Sequence, residues 1–137
     1  MKKISVTISL LLFTTLLMTT ANALAVDGVT DDTIQPRYTG VSRLDASLTI
    51  DASGYASASG HVYVLPGYTA DVSVSLCRDS GANVATWYDS GSGKIDIEKS
   101  RYVTANHDYY VVVSVDVYDS NGRLADSIEK ESVVVSY

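Results

Sequence analysis

One cysteine, two prolines, two histidines, one phenylalanine and one tryptophan in 137 residues exclude several kinds of protein at once. With Cys77 alone, no intramolecular disulfide can form and no thiolate cluster can hold a metal, so the fold has to stand on its apolar core. His61 and His107 lie far apart and belong to no HxH or HExxH pattern, which removes the usual sequence forms of a zinc site. No GxSxG elbow is present to present a serine nucleophile, and Cys77 has none of the local signatures of a catalytic cysteine. Cations are outnumbered, with Lys+Arg 10 against Asp+Glu 16, and an acidic chain is poorly suited to nucleic acid or anionic lipid. No metal and no cofactor is expected.

What is present begins with an address. Lys2 and Lys3 precede an apolar run, Ile4 to Met18, followed by small residues at Ala21, Ala23 and Ala25. This is the pattern of a cleaved secretory signal over residues 1–25, with Val26 as the first mature residue. Removal of Lys2 and Lys3 makes the secreted form two charges more negative than the −6 of the whole chain. The remainder is one domain's worth of sequence. No lipidation cysteine follows the signal, and the expectation is a secreted, extracellular protein with no membrane anchor after cleavage. Residues 26–42, polar and carrying Pro36, read as an extended leader, of which IQPRYTG is the part suited to docking. Residues 43–137 read as the folded domain.

That domain alternates. Leu44, Ala46, Leu48 and Ile50 share one parity before the turn at Asp51 to Gly54, and Ala56, Ala58, Gly60, Val62 and Val64 share one parity after it, a face small enough for another sheet to approach closely. Pro66-Gly67 breaks the chain. Val72, Val74 and Leu76 then alternate with Ser73, Ser75 and Cys77, which predicts a partly exposed thiol, and a hairpin partner follows around Val84 to Tyr88. Ile95 and Ile97 form a short strand with a charged outer face. The strongest signal is Tyr109 to Tyr118, with Tyr109, Val111, Val113, Val115 and Val117 on a core face and Tyr110, Val112, Ser114, Asp116 and Tyr118 on a wet one. Beyond Asn121-Gly122, Leu124 and Ile128 share a parity that Val133 and Val135 do not, which predicts a bulge or kink near Glu129 to Ser132. No sustained 3.6-residue period appears, so no substantial helix is expected. About seven strands with turn residues between them predict an all-β, antiparallel sandwich.

The stretch Val103-Thr-Ala-Asn-His-Asp-Tyr109-Tyr-Val-Val-Val resembles the tyrosine corner of fibronectin type III and other immunoglobulin-like domains. The resemblance implies an immunoglobulin-like sandwich in which Val103 is the apolar residue six positions before Tyr109, and Tyr109 takes the role of the corner tyrosine, its hydroxyl bonding to backbone upstream. There is no proline between Val103 and Tyr109, no tryptophan in the second strand and no cysteine pair, so the likeness is to the architecture. Over a longer span, IQPRYT, ASLTIDASGYASASG, ATWYDSGSG and YYVVVSV together resemble an uncharacterised family of small secreted proteins from Gram-positive bacteria, a domain of unknown function. That resemblance implies a compartment and a fold, with no catalytic residues.

Ten tyrosines are the chain's compositional signature, and tyrosine suits a surface that is wet and adhesive. Tyr110, Val112 and Tyr118, joined by Trp87 or Tyr88 on the neighbouring hairpin and with Trp87 preferred, are the candidate binding patch, with the alternative that these rings only brace the sheet through cross-strand pairs. Oxygen-bearing side chains crowd one hairpin at Asp116, Asp119, Asn121 and Asp126, and Asp96 and Glu98 alternate, but no 12-residue loop with Asp at positions 1, 3 and 5 exists. Cys77 reads either as a small hydrophobe at a strand end or as an intermolecular disulfide. Three functions compete. They are a non-catalytic recognition module for an extracellular protein or glycan, a self-associating assembly or matrix component, and a small hydrolase.

Overall fold

The alternation in the sequence becomes two antiparallel sheets, face to face. The computed structural model describes residues 37–137, and the expectations for the signal and for the leader as far as Pro36 lie outside the described residues. The strands are β1 (Val41–Ile50), β2 (Tyr55–Val64), β3 (Thr69–Arg78), β4 (Asn83–Gly91), β5 (Lys94–Tyr102), β6 (Asp108–Tyr118), β7 (Leu124–Glu131) and β8 (Val135–Ser136). One sheet runs β1-β2-β5 and the other β4-β3-β6-β7, with β8 pairing the first two residues of β6. β7 and β8 both pair with β6 and occupy one lane of the sheet, so the architecture is an antiparallel β-sandwich of seven lanes, three against four. No helix occurs among the described residues.

The core is the set of inward-facing alternates. Val72, Val74 and Leu76 on β3 meet Tyr109, Val111, Val113, Val115 and Val117 on β6, and across the interior lie Leu44, Leu48, Val62, Ile95 and Ile97. Ala56, Ala58 and Gly60 on β2 are buried as well. Their small size sets how near the sheets come. A β-carbon on Gly60 would stand 2.7 Å from Val74 Cγ2 and 2.9 Å from Val113 Cγ2, so the second sheet fills the space that a side chain would need.

Three details differ from the sequence reading. β1 starts at Val41 rather than at residue 43, so the extended leader ends earlier; within its IQPRYTG segment, Tyr38 packs against the core, the Thr39 amide donates to Asp126 Oδ2 at 2.9 Å, and the Leu65 amide donates to the Gly40 carbonyl at 2.8 Å. β5 extends to Tyr102 instead of stopping after Ile97. At the C-terminal edge, pairing skips Ala125 where β7 crosses the end of β6, so Leu124 turns outward, 59% exposed, while Ile128 is buried. That skip breaks the shared parity expected for Leu124 and Ile128. β7 then ends at Glu131, and Val133 and Val134 are exposed before β8 resumes the lane.

At the start of β6, Tyr109 is 2% exposed, and its hydroxyl donates to the Thr104 carbonyl at 2.8 Å while accepting from the Thr104 amide at 3.2 Å. Val103 is partly buried and packs against the core. The ring fills apolar space and the phenol closes the loop between β5 and β6.

Candidate functional site

The four residues of the sequence-derived patch do not come together. Trp87 stands opposite Val74, an inward-facing residue, and packs against the core from the rim of β4, so it lies on the other side of the sheet from Tyr110, Val112 and Tyr118. Tyr110 and Tyr118 sit near opposite ends of β6, roughly 27 Å apart at the rise of an extended strand, with Ser114 and Asp116 between them. The outward ring on β4 is Tyr88, 78% exposed. Alternation could not decide this, because both parities of Val84-Ala-Thr-Trp-Tyr88 carry apolar or aromatic residues. Only the register against β3 does, with Ser73 opposite Tyr88 and Val74 opposite Trp87.

Cys77 is also placed differently from expectation. It keeps the parity of Ser73 and Ser75 yet is only 9% exposed. Tyr110 is its cross-strand neighbour on the outer face. Desolvation, reinforced by the nearby Glu131 carboxylate, pushes the thiol's pKa up.

The outer face of the four-stranded sheet holds a groove of about 630 Å³ across β4, β3 and β6. Its floor is Asp71 and Ser73 on β3 with Ser114 and Asp116 on β6, and its β4 wall is Tyr88, Asp89 and Ser90. Register builds this floor: Ser73 faces Ser114 and Asp71 faces Asp116 across one antiparallel ladder. Like charges placed directly opposite are unfavourable, and no Lys, Arg or His lines the groove. Ser127 Oγ donates to Asp116 Oδ1 at 2.5 Å and Ser114 Oγ to Glu129 Oε1 at 3.0 Å. Among the described residues, the side chains of Asp71, Ser73 and Tyr88 make no such bond. The groove therefore offers one open aromatic face, free hydroxyls and free carboxylate acceptors. Asp71 and Asp116 are both exposed, so no difference in burial separates them into the acid and base of a hydrolase.

A second cleft, of about 310 Å³, contains serine, histidine and aspartate together: Ser136, His107 and Asp79, with Asp108 and Tyr137. Its bonds run the wrong way for nucleophilic catalysis. His107 Nδ1 meets Asp79 Oδ2 at 3.2 Å, but Ser136 Oγ donates to Asp108 Oδ1 at 2.5 Å rather than to His107, so no nucleophile–base contact exists. The cleft instead pins Tyr137, whose amide donates to the His107 carbonyl at 3.0 Å and whose carbonyl accepts from the amide of His107 at 3.1 Å.

The acidic residues singled out for calcium are engaged separately. Asp119 Oδ1 caps its own turn through the Asn121 and Arg123 amides, Asp126 holds Thr39, and Asp96 pairs with His61 and Lys94. Among the described residues no three His, Cys, Asp or Glu side chains converge as a metal site requires. No protein-family profile matches the chain, and no curated protein matches it.

Proposed function

We propose that this protein is a secreted, non-catalytic recognition module that binds a glycan outside the cell through the β3-β4-β6 groove. The observation that carries the reading is Tyr88, a ring held almost fully in solvent beside Asp71 and Ser73, whose side chains have no partners among the described residues. Sugars present apolar ring faces that stack on tyrosine and hydroxyls that donate to carboxylates, so one aromatic platform with convergent acceptors is suitable for them. The two floor carboxylates, Asp71 and Asp116, with no cation lining the groove, favour a neutral or amino sugar over a uronic acid or sulfated chain. Secretion rests on the residue 1–25 signal pattern and on the resemblance to small Gram-positive secreted proteins.

Calorimetric titration of residues 26–137 with soluble oligomers of glucose, N-acetylglucosamine and glucosamine tests the reading. Binding of at least one oligomer is expected, weakened tenfold or more by Tyr88→Ala and by Asp71→Ala without loss of melting temperature. Tyr102→Ala, an exposed ring on β5 of the other sheet, should bind like the parent. Binding indifferent to Tyr88→Ala, or no binding to any of the three, would overturn it.

A further inference from the structure

A sandwich of two open sheets has four edge strands, here β1, β5, β4 and the β7/β8 lane. An edge strand presents unpaired backbone groups, and soluble proteins guard such edges with charge, proline, bulges or inward-pointing ionic side chains. β5 is guarded by Lys94, Asp96, Glu98, Lys99 and Arg101. β7 carries Asp126, Glu129, Lys130 and Glu131 and is interrupted by the skip at Ala125 and by the break after Glu131. On β1, Arg43 and Asp45 are charged, and Lys130 Nζ already donates to the Leu44 carbonyl at 2.8 Å.

β4 has none of these devices along its length. Its nine residues, NVATWYDSG, contain one charge, Asp89, and no proline or lysine. The bulge against β3 lies only at its start, and from Ala85 to Gly91 the ladder is regular. Among the described residues its backbone pairs with β3 alone.

We infer that β4 is an association edge that pairs antiparallel with β4 of a second copy of this chain. The argument for that occupant is self-complementarity, which a two-fold interface demands. A two-fold axis at Trp87 sets Trp87 against Trp87 of the second copy, Thr86 against Tyr88, Ala85 against Asp89 and Val84 against Ser90. No like charges face each other, and two half-buried tryptophans cover one another at the rim. β5 fails the same test: two-fold axes at Ile97, Glu98, Lys99 or Ser100 set Asp96 against Glu98, Glu98 against itself, Lys99 against itself, or Lys99 against Arg101. The product is one continuous eight-stranded sheet with the two grooves on the same face, and it stands whether or not the grooves bind glycan.

Sedimentation of residues 26–137 in strong reductant, which removes Cys77 from consideration, tests this between micromolar and millimolar concentration. The parent is expected to pass from monomer to dimer in that range. Thr86→Lys/Tyr88→Lys and Thr86→Glu/Tyr88→Glu should each remain monomeric, because the axis at Trp87 juxtaposes their like charges, and an equimolar mixture of the two should dimerise again. Hydrogen exchange on the parent provides a readout independent of any variant: amides within 83–91 should gain protection as concentration rises. A parent monomeric at millimolar concentration, a double variant that is folded and dimerises as the parent does, or association without added protection in 83–91 would each overturn the inference.

Discussion

Lys130 stands opposite Val113 on the inward-facing parity of β7, yet its ammonium leaves the sandwich to donate to the Leu44 carbonyl of β1 at 2.8 Å, with Asp45 Oδ1 at 3.6 Å. One side chain thus ties the edges of the two sheets together on one side of the molecule while its methylenes cover the core rim. Lys130→Met keeps the apolar stem and removes the bond. Urea unfolding should show a loss of about 1 kcal/mol, whereas Lys94→Met, which removes only a surface ion pair with Asp96, should be nearly neutral.

Gly60 sets the closest approach of the sheets. Gly60→Ala should destabilise the chain by roughly 1 to 3 kcal/mol, because Val74 and Val113 must both move to admit one methyl group. The same change at Gly67, where a β-carbon would meet nothing within 4 Å, tests a different quantity. There the cost comes from a φ of 90°, and the two variants together separate crowding from backbone strain.

Tyr109→Phe removes a hydroxyl that both donates to and accepts from the Thr104 backbone. The expected cost is about 1 to 3 kcal/mol, since the Thr104 groups lose a partner in a part-buried site. Thermal melts should show Tyr88→Phe unchanged beside it, as the Tyr88 hydroxyl has no such partner.

Acid should destabilise the fold through carboxylates held below their ordinary value. Asp51 is lowered by bonds from the Ser53 hydroxyl and from the Tyr55 and Ser53 amides, and Asp96 by His61 and then Lys94. Folded values below the unfolded 3.8 mean that this contribution is present above that pH and is lost as pH falls through the lower folded values. The melting temperature should be flat between about pH 7 and 5 and decline below about 4. Asp51→Asn retains an oxygen acceptor for the turn but no longer titrates, so its acid decline should be shallower.

Cys77 should react sluggishly with an aromatic disulfide reagent at pH 8, because it is covered and its thiolate is disfavoured. Tyr110→Ala uncovers it. A rise in the reaction rate of tenfold or more is expected in the folded state, with parent and variant equal in denaturant.

The strands were legible because each of β1, β2, β3 and β6 buries one face only, and a one-sided face writes itself into the chain as alternation. The candidate site was not legible for the same reason in reverse. On β4 both parities are amphipathic, so Trp87 and Tyr88 exchange roles under a single-residue change of register that the sequence alone does not specify. Leu124 was misplaced by one skipped residue at Ala125. The groove is a product of pairing: Asp71 and Asp116 lie in separate segments, and only the β3-β6 ladder makes them neighbours.

That ladder divides two tasks between successive residues of the same strands. On β3 and β6, Val72, Val74, Val113 and Val115 hold the interior, while Asp71, Ser73, Ser114 and Asp116 floor the groove. The chemistry of the outer face and foldability are consequently encoded at interleaved positions that do not overlap, so the outer face can be rewritten one side chain at a time while the interior stays constant. A scaffold of this kind can diverge quickly in its surface chemistry and slowly in how it folds.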